Sequence, residues 1–251
     1  MMNMEMLQLA ESAALLAGHA LKDQRNTWAG IENASGHDVK IKADRMAEEM
    51  IVNLLQRGSD HPILSEEAGL IGDGAGGGGR RWIVDPLDGS LNYHLGIPMC
   101  CVSIALYDGL EPILGVVYDF NHDALFSGQV AGGAWLNHVP MQPSATTEIA
   151  AAVLGTGFPV KSDFSMEGLT RLIGNIQGYR KIRWLGSAAL SLCYVACGKM
   201  DVYQEENIRL WDVAGGCALV KAAGGAVTMK EINLAEHRFH VTAQNGRLNV
   251  I

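Results

Sequence analysis

Acidic residues stand where apolar segments of this chain stop. Ile63-Leu64 runs into Glu66-Glu67, Trp82-Ile83-Val84 runs into Asp85, and Asp212 follows Trp211 at the start of a later helical stretch. Within Asp85-Pro86-Leu87-Asp88-Gly89-Ser90, proline fixes its own φ and glycine permits an unusual turn, so both aspartates are pinned on a bend after a buried strand. Two carboxylates facing one cavity repel, and the pKa of one rises unless a cation neutralises both. Oxygen ligands of this kind suit Mg²⁺ or Mn²⁺ rather than Zn²⁺. On this segment alone an ordinary Asp-rich turn explains the residues equally well.

Other candidate chemistry is weaker. The glycine-rich stretch 72–79 has no Gly-Lys-Ser/Thr after it and no strand leading directly into it, so it reads as a mobile loop rather than a phosphate cradle. Cys193 and Cys197 are four apart on a probable helix, but no second pair or histidine stands at zinc spacing, and core packing is the better reading. His94 reads as a surface histidine. Trp82 and Trp211, next to acidic residues, read as apolar walls of the pocket.

The elements that must position these groups follow from periodicity. Residues 3–25 and 43–57 carry apolar side chains at helical spacing, with Asp44 near the second helix's start, where a carboxylate suits the dipole. Val39 to Lys42 alternates like a short strand. Segments 100–108, 112–120 and 124–130 are strand-like and separated by hairpin signals, which predicts an antiparallel meander. Beyond Pro143-Ser144, strands near 151–154, 181–185 and 200–203 alternate with helical stretches 166–176, 187–197 and 211–223. The expected fold is α/β, an α+β N-terminal domain over 1–143 and an α/β C-terminal domain over 144–251 that supplies Asp212.

Composition bounds the function. The chain has 251 residues, 48% of them hydrophobic, and a net charge of −8, so it has a core and no surplus of positive charge for a polyanion; no nucleic-acid partner is expected. No apolar run spans a bilayer, and no secretory leader is evident, so no membrane partner and a cytoplasmic location are expected. Five cysteines, an odd number, read as reduced thiols.

Taken together, Ser65-Glu66-Glu67, Asp85 to Tyr93, Trp211 to Gly216, Asp38 to Asp44 and Leu185 to Ala189 resemble the signature segments of the inositol monophosphatase family. The resemblance implies a layered α-β-α-β-α sandwich of the sugar phosphatase type and lithium-sensitive hydrolysis of small phosphate monoesters with two or three Mg²⁺ ions. By that resemblance Glu66, Asp85 and the Leu87 carbonyl hold one ion, and Asp85, Asp88 and Asp212 a second, with a weaker third near Glu66. Ser90 stands where the family usually has threonine; it would bind the attacking water while Asp44 takes its proton. A plain helix N-cap is the alternative for Ser90, and because N-capping uses the same geometry Ser90 is expected to fill both roles together. Gly89 and Ser90 N–H groups, together with Gly186, Ser187 and Ala188, would meet the substrate, and Glu205 would contact its hydroxyl. Solvated surface is the alternative for Glu205.

The family further implies a homodimer. Asn33, Asn207 and Arg209 depart from its usual residues, which opens the substrate: inositol monophosphate or a related polyol or sugar phosphate leads, with fructose 1,6-bisphosphatase, 3′-phosphoadenosine nucleotidase and histidinol phosphatase activities as alternatives. Leu91-Asn92-Tyr93 disfavours the nucleotidase. A non-enzymatic role as a partner of the transcription machinery is the alternative of another class.

Overall fold

The computed structural model describes residues 2–35, 38–72, 79–158 and 163–250; the side chains of residues 2, 32–35 and 38–40 are outside that description. Residues 73–78 of the glycine loop and the side chain of Asn33 therefore lie outside the described residues.

Helices α1 (Met2–Asp23) and α2 (Arg25–Trp28) lead into strands β1 (Ile31–Ser35) and β2 (Asp38–Ile41), and α3 (Lys42–Gly58) follows. Next come β3 (Ile63–Ser65), β4 (Gly69–Ile71), β5 (Arg80–Asp88) and the one-and-a-half-turn α4 (Ser90–Leu95). The expected meander is β6 (Cys101–Asp108), β7 (Glu111–Asp119) and β8 (Ala124–Gln129), extended by β9 (Gly133–Leu136) and β10 (Val139–Pro140). Eight of these strands form one sheet in the order β10-β9-β8-β7-β6-β5-β3-β4.

The second half contains β11 (Val153–Gly155), α5 (Met166–Ile176), β12 (Lys181–Arg183), α6 (Ala188–Ala196), β13 (Val202–Arg209), α7 (Leu210–Ala222), β14 (Ala226–Asn233) and β15 (Arg238–Gln244). Its five-stranded sheet runs β12-β11-β13-β15-β14. β11 is parallel to β12 and β13, and β15 is antiparallel to β13 and β14.

The layers follow from which helix faces are apolar. α1 and α3 pack one stripe on the large sheet, around Leu7, Ala14, Ile51, Trp82 and Tyr118, and turn the other to water. α7 is apolar nearly all round, with Trp211, Val213, Ala214, Cys217, Leu219 and Val220 buried, because with α6 it lies between the two sheets. α5 lies on the outer face of the small sheet, where Ile176 meets Leu154 and Val202. The result is the α-β-α-β-α sandwich. Among the described residues no helix is long and apolar enough to cross a membrane.

One local expectation is corrected. Asp85 does not end a strand before a bend; β5 continues to Asp88, with a shift of register between Asp85, paired with Ser103, and Asp88, paired with Cys101. Pro86 donates no N–H, so it fits at such an irregularity, and the backbone distortion re-aims the neighbouring side chains.

Candidate active site

Asp44 and Asp212 occupy equivalent positions on different helices. Each is the third residue of its helix, and its Oδ2 accepts a backbone N–H from just before the first turn: Ile41 N at 2.9 Å for Asp44, Arg209 N at 3.3 Å for Asp212. A carboxylate is stabilised there by unpaired N–H groups and by the dipole. Asp44 has a second oxygen to use, and Ser90 Oγ donates to its Oδ1 at 2.6 Å.

Ser90 is placed by the turn before it. Gly89 takes φ 84°, and a side chain there would lie 2.7 Å from the Met99 carbonyl, so glycine is required on both counts. Gly89, not Ser90, caps α4; Ser90 is its first residue, and its hydroxyl lies 3.0 Å from the Leu87 carbonyl instead of bonding a helix N–H. The N-cap reading of Ser90 is thus replaced by a long-range contact with Asp44.

Asp85 is 2% exposed and accepts the Leu87 N–H through Oδ1 at 3.0 Å. Asp88 is 8% exposed, and its Oδ2 collects three donors: Ser187 Oγ at 2.5 Å, Ala189 N at 2.8 Å and Cys101 Sγ at 3.8 Å. Ser187 also caps α6, accepting the Leu190 N–H at 3.2 Å. Its hydroxyl proton is therefore directed at Asp88, a contact that sequence spacing did not suggest. Cys101 and Asn92 were missed as well. Asn92 Nδ2 donates to the carbonyls of Met99, 2.7 Å, and Leu185, 2.8 Å, and ties the Asp88 turn to the segment entering α6. The only sequence signal for it was its place beside the Asp-rich turn.

A cavity of about 460 Å³ opens over these groups, walled by Glu66, Asp88, Gly186, Ser187, Ala188, Glu205 and Asp212. Asp44 and Asp85 are buried. Glu205 is not solvated surface: it is 7% exposed and accepts the Tyr203 hydroxyl at 2.8 Å, whereas Glu206 is exposed. A side chain at Gly157 would lie 2.5 Å from Glu205 Oε2, so only glycine lets the carboxylate sit there. Arg209 joins the wall. It stacks on Trp211 with its guanidinium carbon 5.2 Å from the ring centre.

The other candidates resolve plainly. Trp82 lies in the core against α1 and α3, and Trp211 packs under Arg209; neither lines the cavity among the described residues, contrary to expectation. His94 Nδ1 is tied to the Ala29 carbonyl at 2.7 Å. Cys193 is buried core, and all five cysteines are free.

Electrostatics explains what the cluster is prepared for. Burial pushes Asp85 well above the carboxylate range, and Glu66, Asp88, Asp212 and Asp44 push it further. Burial likewise raises Asp212, helped by Glu66, Asp88 and Glu205. Asp88 rises to about 6 through burial, against the lowering effect of Ser187 and Ala189. Burial carries Asp44 to about 6, while its bonds to Ser90 and Ile41 oppose the rise. The neighbours that raise these pKa values are acids, so a bound cation would relieve the strain. As they stand among the described residues, no three His, Cys, Asp or Glu side chains cage an ion; each aspartate is held by protein donors. The donor set, carboxylates and the Leu87 carbonyl, fits a hard divalent cation.

Comparison with known proteins gives the family of the chain. The family model described as the inositol monophosphatase family matches residues 2–249. The chain is 37% identical to inositol monophosphatase 1 of Solanum lycopersicum, over 89% of this chain and 84% of that protein. It is 40% identical to Nus factor SuhB of Xylella fastidiosa, over 76% of this chain and 68% of that protein. Among solved structures, the inositol monophosphatase from Anabaena (Nostoc) sp. PCC 7120 superposes with a TM-score of 0.83 at 34% identity, covering 96% of this chain and 91% of that one. A phosphoric monoester hydrolase is the class that this fold and site define. The chain belongs to the inositol monophosphatase family, whose members are generally metal-dependent.

Proposed function

We propose that the chain hydrolyses a small phosphorylated polyol or sugar, inositol monophosphate first among them, with Mg²⁺ held by Glu66, Asp85, the Leu87 carbonyl, Asp88 and Asp212. The observation that carries this reading is a buried carboxylate cluster whose members raise one another's pKa beside a Ser90–Asp44 pair at 2.6 Å. When bound, such cations neutralise the phosphate, acidify a water and stabilise the departing alkoxide; Mn²⁺ would serve by the same oxygen chemistry.

Ser90 donates to Asp44 Oδ1, so the lone pairs of Ser90 Oγ are left to accept a hydrogen bond from the attacking water. As the water attacks, its proton passes to Ser90 Oγ while the Ser90 proton moves to Asp44. Burial holds Asp44 near pKa 6, which suits a base working near neutrality. Gly89, Gly186, Ser187 and Ala188 shape the phosphate end of the site, and Glu205 reads a hydroxyl of the alcohol from the opposite wall. Residues 1–143 and 144–251 act as two domains that close the site between them. Lithium sensitivity, a cytoplasmic location and a homodimer belong to the same reading.

Phosphate release from inositol 1-phosphate, glycerol 2-phosphate, fructose 1,6-bisphosphate and histidinol phosphate tests the substrate. Inositol 1-phosphate is expected to show the highest kcat/KM; a preference for another of the four would replace it. A second reading, a partner role in transcription, draws on the relative named Nus factor SuhB. The retained carboxylates favour catalysis.

A further inference from the structure

Among the described residues four buried side-chain polar atoms have no hydrogen-bond partner: Ser65 Oγ, Arg81 Nε, Ser103 Oγ and Trp211 Nε1. Leaving a buried hydroxyl unpaired is costly, and such groups are rare in folded proteins. Ser103 differs from Ser65 in what it faces. Successive side chains of a strand go to opposite faces of the sheet. Trp82, Val84, Val102 and Ile104 pack in the core with α1 and α3, whereas Ile83, Cys101 and Ala105 join the core around α6 and α7. Asp85 and Ser103 fall in the second series, and they are direct partners in the β5–β6 ladder. Side chains paired in this way lie about 4.5–5.5 Å apart at Cβ. The Ser103 hydroxyl therefore stands beside the Asp85 side chain, on the face that α7 covers.

α7 closes the space from the other side. A Cβ at Gly215 would lie 2.5 Å from Ser103 Oγ, so glycine at this position lets the helix pass over the hydroxyl. Gly215 follows Asp212 by three residues, a spacing that puts both on one side of the helix. Ser103 is thus enclosed between the strand that carries Asp85 and the helical turn that carries Asp212. Asp85 receives the Leu87 N–H on Oδ1. An ionised carboxylate has about four acceptor positions, so it can take a further donor while it also meets a cation. Ser65 gives the contrast: it is equally buried, but it pairs with Val84, so its side chain lies on the α1 and α3 face of the sheet, opposite to Asp85.

We propose that Ser103 is a positioning residue for Asp85: its hydroxyl donates to the Asp85 carboxylate when that carboxylate turns to hold Mg²⁺, and so fixes the orientation in which the ion is bound. The proposal rests on the metal-site reading above and gives Ser103 no contact with substrate. Ser103 Oγ contributes no hydrogen bond to the fold, so chelated protein should lose nothing without it. The bond belongs to the loaded state, and its free energy adds to cation affinity.

The test compares wild type, Ser103→Ala and, as a control, Ser65→Ala. Each is unfolded thermally in chelator, and each is freed of metal and titrated calorimetrically with Mg²⁺ alone. In chelator both variants should melt no lower than wild type, because neither gives up a hydrogen bond. Ser103→Ala should bind Mg²⁺ roughly tenfold more weakly, the effect typical of losing a group that orients a metal ligand, and adding the ion should raise its Tm less than that of wild type. Ser65→Ala should keep the wild-type affinity. Wild-type Mg²⁺ affinity in Ser103→Ala would overturn the proposal. So would a lower Tm of that variant in chelator, which would give the hydroxyl a partner within the fold, or an equal loss of affinity in Ser65→Ala, which would trace the effect to a void in the sheet. If wild type itself binds no Mg²⁺, the metal-site reading fails and the proposal falls with it; normal binding in both wild type and Ser103→Ala removes the proposal alone.

Discussion

Ser90 Oγ lies 2.6 Å from Asp44 Oδ1, and the other Asp44 oxygen is fastened to the Ile41 N–H at 2.9 Å. The second bond matters to the first, because it stops the carboxylate from turning away. Ser90→Ala and Asp44→Asn should each lose roughly 10²–10⁴-fold in kcat, the range of a general acid–base component. Ser90 does not cap α4, so Ser90→Ala should change stability by less than the ~1 kcal/mol that a lost cap costs. Kinetics and urea unfolding on the same samples separate these effects; full activity with a cap-sized loss of stability would reverse the assignment.

Asp85 is the most heavily loaded carboxylate, buried with four acidic neighbours. Asp85→Asn removes an ionisable group from that cluster, so the chelated variant should be more stable than chelated wild type. The expected gain in Tm is roughly 2–4 °C, the shift that about 1 kcal/mol produces in a chain of this size. A lower Tm would show that the Asp85 carboxylate supports the fold.

Ser187 holds Asp88 while capping α6, so its removal should act in two ways. Ser187→Ala should cost about 1 kcal/mol of stability through the cap. It should also raise the Mg²⁺ concentration for half-maximal activity roughly tenfold, since groups that orient a metal ligand typically carry that much affinity. Ser187→Thr keeps the hydroxyl and should restore both. A Ser187→Ala variant with unaltered Mg²⁺ dependence but impaired substrate affinity would return Ser187 to direct contact with the substrate.

These residues also show what the sequence could and could not tell. The turn at Gly89, just before Ser90, was legible because glycine permits the left-handed backbone there. Helices were legible where one face is apolar, as in α3, and the expected span 166–176 coincides with α5. The contact of Ser187 with Asp88 spans 99 positions and depends on how α6 docks against β5, which no local pattern encodes. Glu205 beside Glu206 looks like solvated surface in a linear reading. The alternation of strand faces buries the first and exposes the second, and Gly157, 48 positions away, makes the space. The departure of β5 from a simple bend was equally hidden, because a register shift depends on the partner strand β6.

Glu205 makes a pH prediction with a definite sign. Burial raises its pKa from 4.5 to about 7, against the lowering effect of the Tyr203 bond. The folded state then holds the proton more tightly than the unfolded state. The resulting stability is complete below pH 4.5 and is lost as pH rises through 7. In the presence of chelator, wild type should lose up to about 3 kcal/mol relative to Glu205→Gln between pH 5 and 8. Chemical unfolding at several pH values checks this, and parallel curves for the two proteins would place Glu205 in water. On inositol 1-phosphate, Glu205→Gln should lower kcat/KM roughly tenfold, about one charge-assisted hydrogen bond, and leave an aryl phosphate without hydroxyls unaffected.

Glu66, Asp85, Asp88 and Asp212 are proposed to form a Mg²⁺-dependent phosphatase centre. Phosphate release from inositol 1-phosphate by protein freed of metal with chelator, before and after Mg²⁺ is restored, tests it directly, with Asp85→Asn measured alongside. Negligible release is expected without Mg²⁺, recovery in wild type when it is added, and none in Asp85→Asn. Turnover that persists in the chelated protein, or that survives in Asp85→Asn at ordinary Mg²⁺, would contradict it.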